Sequence, residues 1–336
     1  MKKTLLVTID FPPNLGGVAK YYQDICNDFE SDKIVVLTMN QEKSEEFDSQ
    51  QKYKIYRNDL LYKFIWPKWL KMIFAIKKIV KQENIGHIHV GQILPVGEAV
   101  LFTRLPFTVF AHGMDITIPQ NNLRKKIVLK KIIKKSEKLI ANSNFTKQEL
   151  VKLGAGENKV EIIHPKPNKK LLDLVDQNVI NQIKEKYNLQ NKKVLLSVGR
   201  LVKRKGFDDV IIALPEVLKE IPNLVYIIIG DGPERKNLNK VIQDSKLSNV
   251  VITGSVNEKE LAAYYSLCDA FIMTSKQLDN GDVEGFGIVY LEADMFNKPV
   301  IGRDSGGIKD AIDLCQDKIL IRSEREIALS IIRYLK

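Results

Sequence analysis

The feature that most constrains this chain is an alternation that runs its whole length and restarts once. Short runs of β-branched and apolar residues come first: TLLVTI (4–9), KIVVLTM (33–39), GHIHV (86–90), FTVFA (107–111), KLIAN (138–142) and VEII (160–163). Segments of helical periodicity, such as 17–29 and 68–83, lie between them. After PKPNKK (165–170), two prolines in a basic polar cluster, the pattern begins again. KVLLSVG (193–199), LVYIIIG (224–230), NVVIT (249–253), DAFIMT (269–274) and KPVIG (298–302) alternate with helical patterns at 208–220, 233–246, 257–267 and 288–297. A strand that is apolar along its length is buried on both faces, and helices between such strands are the crossovers of a parallel sheet. The expectation is an α/β protein of two Rossmann-like domains, 1–165 and 166–336, whose sheets face each other across a cleft. With 336 residues, each domain has enough chain to bury a core of its own.

The opening MKKTLLVTIDFPP carries lysines before an apolar run, as a secretory leader does. The run is too short for one and is ended by Asp10, Pro12 and Pro13, so it reads as the first strand. No apolar stretch approaches the roughly 18 residues that span a bilayer. Cys26, Cys268 and Cys315 are few, odd in number and far apart, which argues against a disulfide framework or a metal cluster and fits a reducing, cytoplasmic setting.

Charge is unevenly placed. The chain carries a formal +11, yet residues 51–170 hold 24 Lys/Arg against 8 Asp/Glu, a net +16, which leaves −5 for the rest. The densest part is LRKKIVLKKIIKKSEK (123–138), where Leu123, Ile127, Val128, Leu129, Ile132 and Ile133 recur at helical spacing among lysines. A basic amphipathic helix of this kind either lies on an anionic surface or simply presents a solvated face. The aromatic-basic stretch YKFIWPKWLK (62–71) tilts the reading toward a membrane surface, because Trp and Tyr favour the interface. Nucleic-acid binding would rest on the basic stretch alone and is not expected.

In open parallel sheets, ligands bind at the carboxyl ends of the strands. After the first strand comes DFPPNLGGVAKY (10–21), in which Gly16 and Gly17 open a helix; glycine lets a ligand approach the backbone, and a helix N-terminus favours anions. After KVLLSVG comes RLVKRKGFDD, which clusters Arg200, Lys203, Arg204 and Lys205, cations suited to a diphosphate. After DAFIMT a loop leads into DVEGFGIVYLEA (282–293), where Glu284 and Glu292 frame a largely apolar run. Buried unpaired carboxylates are costly, so each is either solvated or holds something. A helix starting near Gly287 would aim the N–H groups of Gly285, Phe286, Gly287 and Ile288 at a phosphate. One carboxylate could then take the hydroxyls of a sugar on one side of that phosphate, and the other those of a ribose on the far side.

These motifs resemble those of retaining glycosyltransferases with the GT-B fold, specifically family 4. Glu284 to Glu292 is similar to that family's paired-glutamate signature, and GRLVKRKGFDD (199–209) to its donor motif. GDGPE, the Gly-Gly loop, HIHV, AHGMD and ANSNFTKQEL occur in the order the family shows. The resemblance implies that Glu284 contacts the transferred sugar and Glu292 the ribose. Arg200, Lys205 and the amides near Phe286 and Gly287 would bind the diphosphate, with Gly16 approaching it from the other domain. His112 would line the reaction centre; His87 and His89 are read as strand-end residues and His164 as structural.

DNGDVEGFGIVYLEA (279–293) and FPPNLGGVAKY are further similar to mannosyltransferases that build phosphatidylinositol mannosides from GDP-mannose, which favours that donor; UDP-sugars and a GT-B epimerase remain alternatives. No D-x-D motif occurs, and neither a metal nor another cofactor is expected. The implied partners are a nucleotide sugar, a lipid-linked or oligosaccharide acceptor, and an anionic membrane surface met through 62–71 and 123–138. Asp310 stands where the family carries a glutamate after SGG, PKPNKK replaces its usual linker segment, and the C-terminal REIALSIIRYLK is expected to be part of a helix returning to the first domain.

Overall fold

The structure, a computed structural model, describes every residue except 1, 2, 15 and 43. The chain divides into two compact units, Met1–Pro165 and Lys166–Lys336.

Among the described residues, the first unit holds a seven-stranded sheet with every pair parallel. Its strands are β1 (Thr4–Val7), β2 (Ile34–Met39), β3 (Lys54–Asn58), β4 (His87–Val90), β5 (Phe107–Ala111), β6 (Lys138–Ala141) and β7 (Val160–Ile162), in spatial order 3-2-1-4-5-6-7. The two-residue period of a strand sorts its core onto two faces. Leu5, Val7, Val35 and Leu37 pack with Ile76 and Ile132 on one side, while Leu6, Ile34 and Val36 pack with Tyr22 and Cys26 on the other. The register Leu5↔Val35 and Leu6↔Val36 keeps those sets aligned across strands.

The second unit repeats the plan with β8 (Lys193–Val198), β9 (Leu224–Ile229), β10 (Val250–Gly254), β11 (Ala270–Met273), β12 (Val300–Arg303) and β13 (Lys318–Ile321), all parallel, in order 10-9-8-11-12-13. Chain direction across the sheet reverses beside β1 in the first unit and beside β8 in the second. These are the switch points at which the loops after β1 and β4, and after β8 and β11, open a crevice for ligands.

Two strands escaped the sequence pattern, β3 (KIYRN) and β13 (KILI). Both are edge strands, so one flank has no partner and their residues are less buried than those of the central strands, which weakens the apolar signal. The basic helix runs Leu123–Lys135 and stops before 138; Asn122 caps it by accepting the Lys125 N–H at 3.1 Å, and Lys138 already begins β6. Its apolar set also divides. Leu129, Ile132 and Ile133 are buried, whereas Leu123 is 75% and Ile127 61% exposed. The last helix, Arg325–Leu335, buries Ile327, Ala328, Ile331 and Leu335 in the second unit's own core.

Candidate functional site

In the second unit the site is assembled at the ends of β8 and β11. After Val198 the chain leaves the sheet, makes a single turn at Lys203–Lys205 and enters the helix Phe207–Glu220 through Gly206. Gly206 has φ +70°, and a Cβ there would lie 2.4 Å from the Thr274 carbonyl oxygen, so no other residue fits without displacing β11's exit. Thr274 Oγ1 donates to the Gly206 carbonyl at 2.7 Å, locking the two loops together.

That lock places cations beside Glu284. Lys205 Nζ is 2.5 Å and Arg204 Nη1 2.6 Å from Glu284 Oε2, and Arg204 Nε lies 3.1 Å from Asp282 Oδ1. Burial pushes the mostly enclosed Glu284 carboxyl up, but the charges of Lys205 and Arg204 outweigh it and hold the group at about 2. Its backbone is gripped from behind: the Gly307 N–H donates to the Glu284 carbonyl at 2.9 Å. Gly306, at φ +57°, could not carry a Cβ, which would sit 2.5 Å from the same oxygen. The SGG segment therefore holds Glu284 in place.

The helix Ile288–Met295 starts at Gly287, as the sequence suggests. The Tyr290 N–H turns back to the Gly287 carbonyl at 3.1 Å, and the dipole of the helix start favours an anion there. Phe286 is a core residue, only 3% exposed. Glu292 lies farther along the helix, where the Tyr265 hydroxyl donates to its Oε2 at 3.0 Å. Burial raises its carboxyl to about 7, the Tyr265 hydrogen bond working against that rise and the Glu258 charge adding to it. Arg200, on the loop after β8, is exposed.

In the first unit His112 is buried at the end of β5. The rings of Tyr21 and Tyr22 meet it edge-on at 5.4 Å each, and Tyr22 Oη, which donates to the Gly91 carbonyl, is 2.5 Å from His112 Nε2. Burial lowers the imidazole to about 4, so it is neutral at pH 7. The His112 N–H donates to Asp115 Oδ1 at 2.8 Å; burial raises that carboxyl to about 6 despite backbone N–H donors. Gly16 has extended backbone with no atom within 4 Å of where a Cβ would be, and Gly17 is exposed at the start of the helix Gly17–Asn27. Among the described residues, nothing requires glycine at 16. His89 lies within β4 against Phe29 and Phe110, and His164 Nδ1 is 3.0 Å from the Asn142 carbonyl oxygen.

Two family models divide the chain between them. The one described as Glycosyltransferase Family 4 matches residues 15–165, and the one described as Glycosyl transferases group 1 matches 179–336. The chain is a GT-B glycosyltransferase. Among relatives of this glycosyltransferase is the GDP-mannose-dependent alpha-(1-6)-phosphatidylinositol monomannoside mannosyltransferase of Mycolicibacterium smegmatis, 26% identical over 92% of this chain and 82% of that protein. The corresponding enzyme for the monoacylated substrate in Corynebacterium glutamicum is also 26% identical, over 93% and 82%. The fold is shared with HepE of Anabaena in complex with UDP and glucose, at a TM-score of 0.78 and 20% identity over 99% of this chain and 89% of that one. It is shared too with WaaG, a glycosyltransferase of lipopolysaccharide biosynthesis, at 0.73 and 16% over 99% and 90%.

Reading along the glycosyltransferase's sequence misses Tyr265 altogether and, for Arg204, misses the partners. Arg204 was visible as part of a basic triplet, but its pairing with both Asp282 and Glu284 was not. Tyr265 precedes Glu292 by 27 residues and reaches it from another helix.

Proposed function

We propose that this glycosyltransferase moves a hexosyl group, mannose by preference, from a nucleotide sugar to a hydroxyl of a lipid-linked or oligosaccharide acceptor, with retention of anomeric configuration. The observation that carries the donor assignment is the ionised Glu284, held by two cations at the head of a helix whose next carboxylate, Glu292, is enclosed and free of any such cation. Departure of the nucleoside diphosphate is the hard step, and stabilising its charge is the main task. Arg200, Lys205 and the amides from Gly285 to Ile288 supply that stabilisation, without a divalent ion in this proposal. Glu284 faces the sugar, Glu292 takes the ribose hydroxyls, and a leaving phosphate oxygen accepts the acceptor's proton on the face it departs from. Gly16 and Gly17 offer backbone to the diphosphate, and His112 serves the reaction centre from the first unit as a neutral imidazole.

The relatives' names favour GDP-mannose, whereas HepE, a neighbour in fold alone, was captured with UDP. Calorimetric titration with GDP and UDP decides between them. Tight GDP binding, weakened by both Glu292→Ala and Arg200→Ala, is the expected result. A preference for UDP would keep the enzyme class and overturn mannose; binding of neither would remove the donor site.

The acceptor is proposed to lie at an anionic, cytoplasmic membrane face, where the enzyme sits peripherally. Support comes from the first unit, where the helices Leu70–Gln82 and Leu123–Lys135 contribute to the same core on one side of the sheet. There Phe64 is 98% and Trp66 88% exposed, with Leu123 and Ile127 also bare among lysines. Co-sedimentation with vesicles containing anionic lipid should fall sharply in Phe64→Ser/Trp66→Ser; equal recovery of variant and parent would refute this surface.

A further inference from the structure

Arg204 has no part in the mechanism just described, yet it lies at the middle of the charge cluster. Its Nη1 is 2.6 Å from Glu284 Oε2 and its Nε 3.1 Å from Asp282 Oδ1. Its own carbonyl accepts the Lys276 N–H at 2.7 Å, and Lys276 Nζ is 2.7 Å from Asp209 Oδ1, so backbone and side chain are both fastened. Lys205 shares the Glu284 oxygen at 2.5 Å. The two cations differ in kind. A guanidinium is a planar fork that two carboxylates can hold at once, whereas an ammonium is a point charge on a flexible stem. Arg204 is tied to two acids, while Lys205 has one and can turn away.

We propose that Arg204 is a positioning residue, the standing counter-ion of Glu284, which keeps that carboxylate ionised and aimed when Lys205 turns to the incoming diphosphate. This rests on the donor reading given above. The argument is one of charge. In the cluster Arg204 and Lys205 balance Asp282 and Glu284. A diphosphate adds negative charge and draws Lys205 toward itself. Glu284 would then face Asp282 and the phosphates with Arg204 as its remaining cation.

Among the described residues, no other group facing Glu284 can take over. Tyr290, on the helix behind it, is a neutral phenol that donates to the Met273 carbonyl. The Gly306–Gly307 loop presents only backbone. Arg303, at the end of β12, is engaged by Asp209 at 3.0 Å. Without Arg204, a mostly buried carboxylate beside further negative charge takes up a proton.

The test is the pH dependence of kcat for transfer from the nucleotide sugar, measured beside calorimetric affinity for the nucleoside diphosphate, in wild type, Arg204→Gln, Arg204→Lys and Lys205→Ala. Arg204→Gln should move the acid limb of kcat upward by about one to three pH units, the usual effect of losing an adjacent opposite charge. Its diphosphate affinity should fall less than that of Lys205→Ala. Arg204→Lys, which keeps the charge and loses the fork, should show a smaller upward move. If Arg204→Gln does not fold, Arg204→Lys carries the test, and a limb identical to wild type then overturns the proposal. An unmoved limb in Arg204→Gln also overturns it, as does a loss of diphosphate affinity equal to that of Lys205→Ala, which would make Arg204 a phosphate ligand. Wild type that binds no nucleoside diphosphate sinks the donor reading, and the counter-ion role with it; wild type that binds normally isolates any failure to Arg204.

Discussion

Glu284 and Glu292 stand eight positions apart, and their surroundings push them in opposite directions: one carboxyl is held at about 2, the other raised to about 7. Both are largely enclosed, so burial pushes each of them upward. What separates them is company. Glu284 has an ammonium and a guanidinium on one oxygen, whereas Glu292 has neutral donors, the Tyr265 hydroxyl and the Asn168 backbone, and no cation at contact. Two glutamates that look equivalent in the sequence are therefore prepared for different work. One is held as an anion, and the other is pushed toward its protonated form. Divergent environments for like groups are how a site separates roles.

The largest expected effect breaks this comparison at its charged end. Glu284→Gln keeps the shape and removes the anion, so if the carboxylate steadies positive charge growing on the sugar, kcat should fall by about 10²- to 10³-fold. Steady-state kinetics showing full transfer would remove Glu284 from the reaction.

A smaller effect sharpens the comparison through stability. Glu292 has its folded pKa raised above the ordinary 4.5, so between about 4.5 and 7 the folded state holds more protons than the unfolded one. Its contribution to stability is then present at low pH, falls as pH rises through that window, and is flat above it. Glu284 has its pKa depressed, so its contribution is present above 4.5 and is lost as pH falls toward 2. Denaturant titrations from pH 5 to 8 should therefore show stability changing less steeply downward with pH in Glu292→Gln than in wild type, while Glu284→Gln keeps the wild-type dependence. Identical slopes in wild type and Glu292→Gln would contradict the raised pKa.

Much of this was legible before any coordinates. Continuous apolar runs such as LVYIII mark strands buried on both faces, and helical spacing between them implies parallel pairing, because both follow from local periodicity. The start of a helix at Gly287, and hence the placement of the two glutamates outside and inside it, also follows from short-range pattern. The edge strands Lys54–Asn58 and Lys318–Ile321 were lost for the complementary reason: a half-exposed strand keeps less of the apolar signal. The basic helix gave a false impression of one apolar stripe. Burial of Leu129, Ile132 and Ile133 and exposure of Leu123 and Ile127 depend on which neighbour covers which turn.

The sequence by itself determined the class of fold and the residues available for chemistry, since periodicity, glycine placement and charge type are properties of neighbours along the chain. Only the tertiary structure decided what those residues became. Arg204 meets Glu284 across 80 positions, and Tyr265 reaches Glu292 from another helix. Gly306 fits under the Glu284 carbonyl because two loops from different strands converge. Electrostatic energy depends on distance and solvent exclusion, and neither is a function of position along the chain.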